Sequence, residues 1–68
     1  MGEGMTFSEA IAEATIGKSI QRLAWPENEF GYFKDEFLCI RRDGAEGYKD
    51  YTWIISKGDA VEEDWISF

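Results

Sequence analysis

One cysteine and no histidine deny this chain the covalent and metal staples on which very small domains usually depend. Cys39 has no second thiol to pair with in the chain, and a zinc site would have to be built almost wholly from carboxylates, so neither a disulfide nor a metal is expected. A chain of 68 residues buries a comparatively small share of its unfolded surface. Oligomerisation is the aid that remains, and a homo-oligomer is expected. Aromatic residues make up 16% of the sequence, more than a core of this size encloses easily, so some of that surface should meet a partner or ligand.

The formal net charge of -7 argues against direct binding to nucleic acid, which requires a basic footprint to replace phosphate counterions. It permits the opposite role, imitation of nucleic acid toward a basic partner. No apolar run approaches the length of a membrane helix, and MGEGMTF lacks the basic and apolar regions of a signal peptide. A soluble protein of the reducing cytoplasm is the expectation.

Residues 1–5 read as a flexible leader, with two glycines and a glutamate before Met5. Thr6-Phe7-Ser8-Glu9 then has the pattern of a capping box, and a helix over residues 7–16 follows, with Phe7, Ala10, Ile11 and Ala14 on one face. Gly17 stands where a left-handed cap ends such a helix, and Lys18 suits the negative end of its dipole. Residues 19–25 lose the helical period and read as a strand ending before Pro26. The runs 30–34 and 37–41, separated by Asp35-Glu36, form either a hairpin or one bent strand. Asp43-Gly44 signals a turn, the polar stretch to Asp50 reads as loop, and residues 51–55 alternate as a strand. Ser56 and Asp59 repeat the cap in weaker form. They open a short helical turn over residues 57–63 with Ala60 and Val61 inward, and a last strand occupies residues 65–68. The fold class is α+β, a single domain over residues 6–68: one N-terminal helix, a small mostly antiparallel sheet, and a helical turn before the last strand.

Catalytic machinery is not apparent. Without histidine the Ser–His and Cys–His nucleophile systems are excluded, and the acids Glu62, Glu63 and Asp64 read as a solvated helix edge rather than a glycosidase pair. Gly44 and Gly47 are followed by no helix that would present N–H groups to a phosphate. Cys39 lies in the apolar run 37–40 and reads as a small buried side chain. Trp53 reads as core. Trp25, just before Pro26, can stand at a rim and stack on a planar group. Arg22 can clamp a phosphate or pair with Asp64 or Asp59, and Arg41 and Arg42 read as surface residues open to an anion. No cofactor and no enzymatic activity are expected.

These fixed points resemble a known family. Met5-Thr6-Phe7-Ser8-Glu9-Ala10, Gly17-Lys18, Arg22 with Trp25, then Trp53, Ser56, Asp59 and Glu63-Asp64-Trp65 are similar to the ordered pattern of the second family of phage Thoeris anti-defence proteins. The resemblance implies an α+β homo-oligomer in the bacterial host cell that binds a cyclic ADP-ribose signal and holds it without chemical change. It places Phe7, Arg22, Trp25 and Asp64 near the pocket, with Arg22 toward pyrophosphate, Trp25 or Phe7 on the base, and Asp64 toward ribose hydroxyls or Arg22. Two departures leave another reading open. The stretch between Trp25 and Trp53 lacks the longer insertions of many relatives, and the net charge opposes capture of a dianion. The alternative is an acidic inhibitor, of the anti-CRISPR kind, whose Asp59, Glu62 and Glu63 occupy a basic nucleic-acid-binding surface of a bacterial defence protein.

Overall fold

The computed structural model describes residues 4–44 and 47–68. Its elements are α1 (Phe7–Thr15), β1 (Ile20–Arg22), β2 (Phe30–Lys34), β3 (Phe37–Gly44), β4 (Gly47–Thr52), α2 (Lys57–Val61) and β5 (Trp65–Ser67). The strands form one antiparallel sheet in the order β4-β3-β2-β1-β5, so the fold is α+β as the sequence indicates. No helix among the described residues is long and apolar enough to cross a membrane.

Local chemistry explains where α1 begins and ends. The Thr6 hydroxyl accepts from the Glu9 N–H at 3.2 Å while the Glu9 carboxylate accepts from the Thr6 N–H at 2.9 Å, completing the capping box. The bond from the Thr6 N–H foremost, and then the Thr6 hydroxyl donating to the same carboxylate at 3.1 Å, hold the Glu9 carboxyl below its ordinary range. Gly17, with φ of 99°, turns the chain out of the helix as its position in the sequence requires. Ala10 and Ala14 are buried against Ile20 and Trp65, with Phe7 and Ile11 packed beside them.

The sheet takes the hairpin alternative at Asp35-Glu36 and departs from the sequence expectation in two other places. Asp35-Glu36 makes a tight hairpin between Lys34 and Phe37, with Asp35 at φ 58°, a conformation that aspartate tolerates better than most residues. The expected loop continuing to Asp50 is instead strand from Gly47, because eight residues of β3 offer a ladder that the polar stretch can join; Ala45 and Glu46 lie outside the described residues. The strand expected over residues 51–55 ends at Thr52. Trp53 N–H still donates to Leu38 C=O at 3.0 Å, and then the chain leaves the sheet.

Two further differences concern the ends. Residues 1–3 of the expected leader lie outside the described residues, while Met5 pairs with Trp65 in an antiparallel bridge, with N···O distances of 2.6 and 3.2 Å. In α2 the expected inward residues Ala60 and Val61 are exposed, because this five-residue helix lies beside α1 and meets the sheet through Asp59, whose carbonyl and carboxylate rather than an apolar face turn toward Trp65 and Arg22.

Cross-strand partners share a face of an antiparallel sheet. The register therefore places Ile20, Arg22, Gly31, Ile40 and Trp65 on the face that carries α1, and Gln21, Phe30, Tyr32, Arg41 and Ile66 on the opposite, open face. Gly31 is the point of closest approach on the helix side: a Cβ there would lie 2.5 Å from Trp53 Cζ3. Trp53 fills the space that a side chain would take. Gly31→Ala is expected to overpack this contact and destabilise the domain by about 1–3 kcal/mol, read as a lower midpoint in thermal unfolding; an unchanged midpoint would refute the packing role given to Trp53.

Candidate functional site

Three segments distant in sequence meet around Trp65, which is fully buried. Phe7 from α1 lies 5.1 Å from the Trp65 ring, Trp25 from the loop after β1 lies 5.2 Å away, and Trp53 lies 5.6 Å away. Phe7 and Trp25 each also touch Trp53 edge-on, at 6.1 and 5.5 Å. Edge-to-face geometry of this kind adds about 0.5–1.5 kcal/mol per pair beyond the buried area. Trp53 is 7% exposed and belongs to the core, whereas Phe7 and Trp25 are half-buried and reach the surface of the cluster.

Beside this cluster Arg22 is bound by carboxylates. Its Nε donates to Asp64 Oδ1 at 2.8 Å and Nη2 to Oδ2 at 3.4 Å, a two-point clamp, while Nη1 donates to Asp59 Oδ1 at 3.0 Å. Glu62 stands 3.8 Å from Nη2. The hydrogen bond from Arg22 is the main cause that holds the Asp64 carboxyl below its ordinary value, and the Asp64 bond in turn raises the guanidinium pKa further. Asp59 also supplies its backbone carbonyl to the Trp65 indole N–H, at 3.2 Å. One guanidinium is thus shared by three acids, and the patch keeps a net negative charge. It can accept hydrogen bonds from hydroxyl groups readily, while the clamp on Arg22 competes with any phosphate.

The structure therefore brings Phe7, Arg22, Trp25 and Asp64 together on the helix side of the sheet. Of the acids in the alternative reading, Asp59 and Glu62 turn toward Arg22, and Glu63 is exposed. None of the four gathered residues lines the larger cavity. That cavity, a groove of about 640 Å³, lies on the open face, with Phe30, Arg41, Ile66 and Gln21 as its floor and Phe68, Tyr48, Glu27 and Asn28 at its edges.

Apart from Arg41, the groove is built by residues that the sequence did not single out. Gln21 is buried, and its Nε2 donates to the carbonyls of Pro26, Glu27 and Glu29 at 3.0, 2.9 and 2.9 Å, which fixes the loop wall. Asn28 Nδ2 donates to the Tyr48 hydroxyl at 2.8 Å, joining that wall to β4. Phe68 packs edge-on against Phe30 at 5.7 Å, and the Arg41 guanidinium lies over Phe30 and Tyr32, 5.5 and 5.9 Å from their centroids. Asp50 pairs with Arg41 at 2.9 Å; that bond holds the Asp50 carboxyl low, while burial, then Asp50, raises the Tyr32 phenol. The available signal was the alternation of Phe30 and Tyr32 about Gly31, which puts both rings on the face that Gly31 does not occupy.

The Arg22 clamp gives a pH dependence with a definite sign. The folded Asp64 pKa is depressed below 3.8, so its stabilisation is present above that value and is lost as pH falls through the folded value. Asp64→Asn is expected to lower stability at pH 7 by about 1–2 kcal/mol, and the gap from wild type should close in acid, as followed by urea midpoints. A gap independent of pH would contradict the clamp.

No curated protein matches this chain. The profile of the Tad2-like family, described as the Thoeris anti-defense 2-like domain, matches residues 5–68, a span that begins at the Met5 bridge and takes in all seven elements. With that match over nearly its whole length, the chain belongs to the Tad2-like family, and its role lies in Thoeris anti-defence.

Proposed function

We propose that the protein binds and sequesters a cyclic ADP-ribose-like signalling nucleotide without changing it chemically, acting in the cytoplasm of the bacterial host cell. The observation that carries this reading is the convergence of Phe7, Arg22, Trp25 and Asp64, from α1, β1, the following loop and the approach to β5, on one patch in a chain of this family. Half-buried Trp25 offers an indole face on which a purine can stack. The Asp59 and Asp64 carboxylates accept hydrogen bonds, and ribose hydroxyls supply donors. In this reading Arg22 orients the two carboxylates, and its contribution toward pyrophosphate is secondary because both of its donating edges are already engaged. Binding without turnover fits the residues around the patch, which are aromatic rings and carboxylates bound to a guanidinium.

Calorimetry against a panel of cyclic ADP-ribose isomers tests the proposal. One isomer should bind, and Trp25→Leu, shown to be folded by circular dichroism, should weaken that binding at least about tenfold through loss of the stacking face. Phe68→Ala, on the open face, should leave it unchanged. A flat titration across the panel would rule the reading out.

A further inference from the structure

A buried amide holds the loop that carries Trp25. Residues 23–29 join β1 to β2 and serve both faces of the sheet: the Trp25 ring packs on Trp53 and Trp65 on the helix side, while Glu27 and Asn28 border the groove on the open side. Among the described residues the register of β1 with β2 is a single pair, Ile20 with Gly31, so the ladder does little to fix what lies between them. The next residue, Gln21, is 9% exposed, and its Nε2 donates to the carbonyls of Pro26, Glu27 and Glu29. An amide buried there costs free energy unless it is bonded, and three carbonyls for two N–H groups is more than burial alone requires.

The backbone of Trp25 is bracketed on both sides. Its N–H donates to the Arg22 carbonyl at 3.0 Å, and the next residue, Pro26, gives its carbonyl to Gln21 at 3.0 Å. The fixed φ of proline passes that hold back toward Trp25. We propose that Gln21 is the positioning residue for Trp25: its amide orders residues 26–29 from the open face, so that the indole stands in place on the helix side before any ligand arrives. Alternation along β1 puts Gln21 and Arg22 on opposite faces. Two adjacent residues thereby set both parts of the patch, Arg22 its carboxylates and Gln21 its stacking ring. The consequence for binding rests on the nucleotide reading, whereas the hold on Trp25 is a property of the free protein. Affinity falls in proportion to the fraction of molecules whose ring stands ready.

Gln21→Met, which keeps the length of the side chain and loses its donors, tests this by NMR and calorimetry. In the free variant the Trp25 indole N–H signal should shift or broaden while those of Trp53 and Trp65 stay in place, and the cyclic ADP-ribose isomer that binds wild type should bind about tenfold more weakly. A role limited to stability would lower the unfolding midpoint and leave the Trp25 signal and the affinity as in wild type; that result would overturn the assignment, and so would a shifted signal with unchanged affinity. If no isomer binds wild type, the nucleotide reading falls by itself, and the Trp25 signal still decides whether Gln21 holds the ring. Should Gln21→Met fail to fold, Trp25→Leu takes its place. Coupling is reciprocal, so in that variant the Gln21 side-chain amide protons should exchange with water about tenfold faster than in wild type. Equal exchange rates would overturn the link between the two residues.

Discussion

The fold hangs on the seating of one indole. Trp65 is wholly buried, and it is held on every side: by Phe7, Trp25 and Trp53 through their rings, by the Asp59 carbonyl at its Nε1, and by Met5 through paired backbone bonds. Each contact comes from a different part of the chain. The helix, the loop after β1, the exit from β4 and the turn of α2 all take their positions from the same ring. For a chain this small, with no disulfide or histidine, such a shared hub concentrates burial where many segments can use it at once.

Arg22 extends that hub into charge. Its register partner in β5 is Trp65 itself, so the strand pairing that seats the indole also brings the guanidinium to Asp64, one residue before it. Removing either partner leaves charged groups without compensation in a half-buried place, which makes the pair a constraint on the fold as well as a feature of the surface. The same geometry gives the patch its chemical character: an aromatic edge beside carboxylates held in fixed orientation. A nucleoside presents the complementary pairing, a planar base joined to a ring of hydroxyls. The opposite face has another character, with Phe30, Tyr48 and Phe68 around the Arg41–Asp50 pair.

Much of this could be read from residue order alone, where the determinants are local. The capping box at Thr6 and Glu9 and the glycine at position 17 define α1 because their bonds and dihedrals involve only near neighbours. The pairing of Arg22 with Asp64 or Asp59 was open to the sequence as well, and the structure contains both. What was not legible depends on partners far away. β4 is exposed along its whole length, so it has no alternation to announce it, and its strand character comes from β3. Trp53 leaves the sheet because Gly31, more than twenty positions earlier, has no side chain over that spot. The inward faces expected of Ala60 and Val61 assumed a helix packed on the sheet by an apolar face, whereas α2 lies beside α1 and meets the sheet through Asp59.

The proposed assignment of nucleotide binding to the helix side rather than the open face can be tested by amide and indole NMR of the labelled protein during titration with cyclic ADP-ribose isomers. All three tryptophans lie on the helix side, so their indole N–H signals report that side directly. The account predicts that the Trp25 indole and the Asp64 amide move most, with Phe30, Arg41 and Tyr48 unmoved. Large shifts confined to Phe30, Arg41, Tyr48 and Phe68, with silent indoles, would place the ligand in the open-face groove and contradict it.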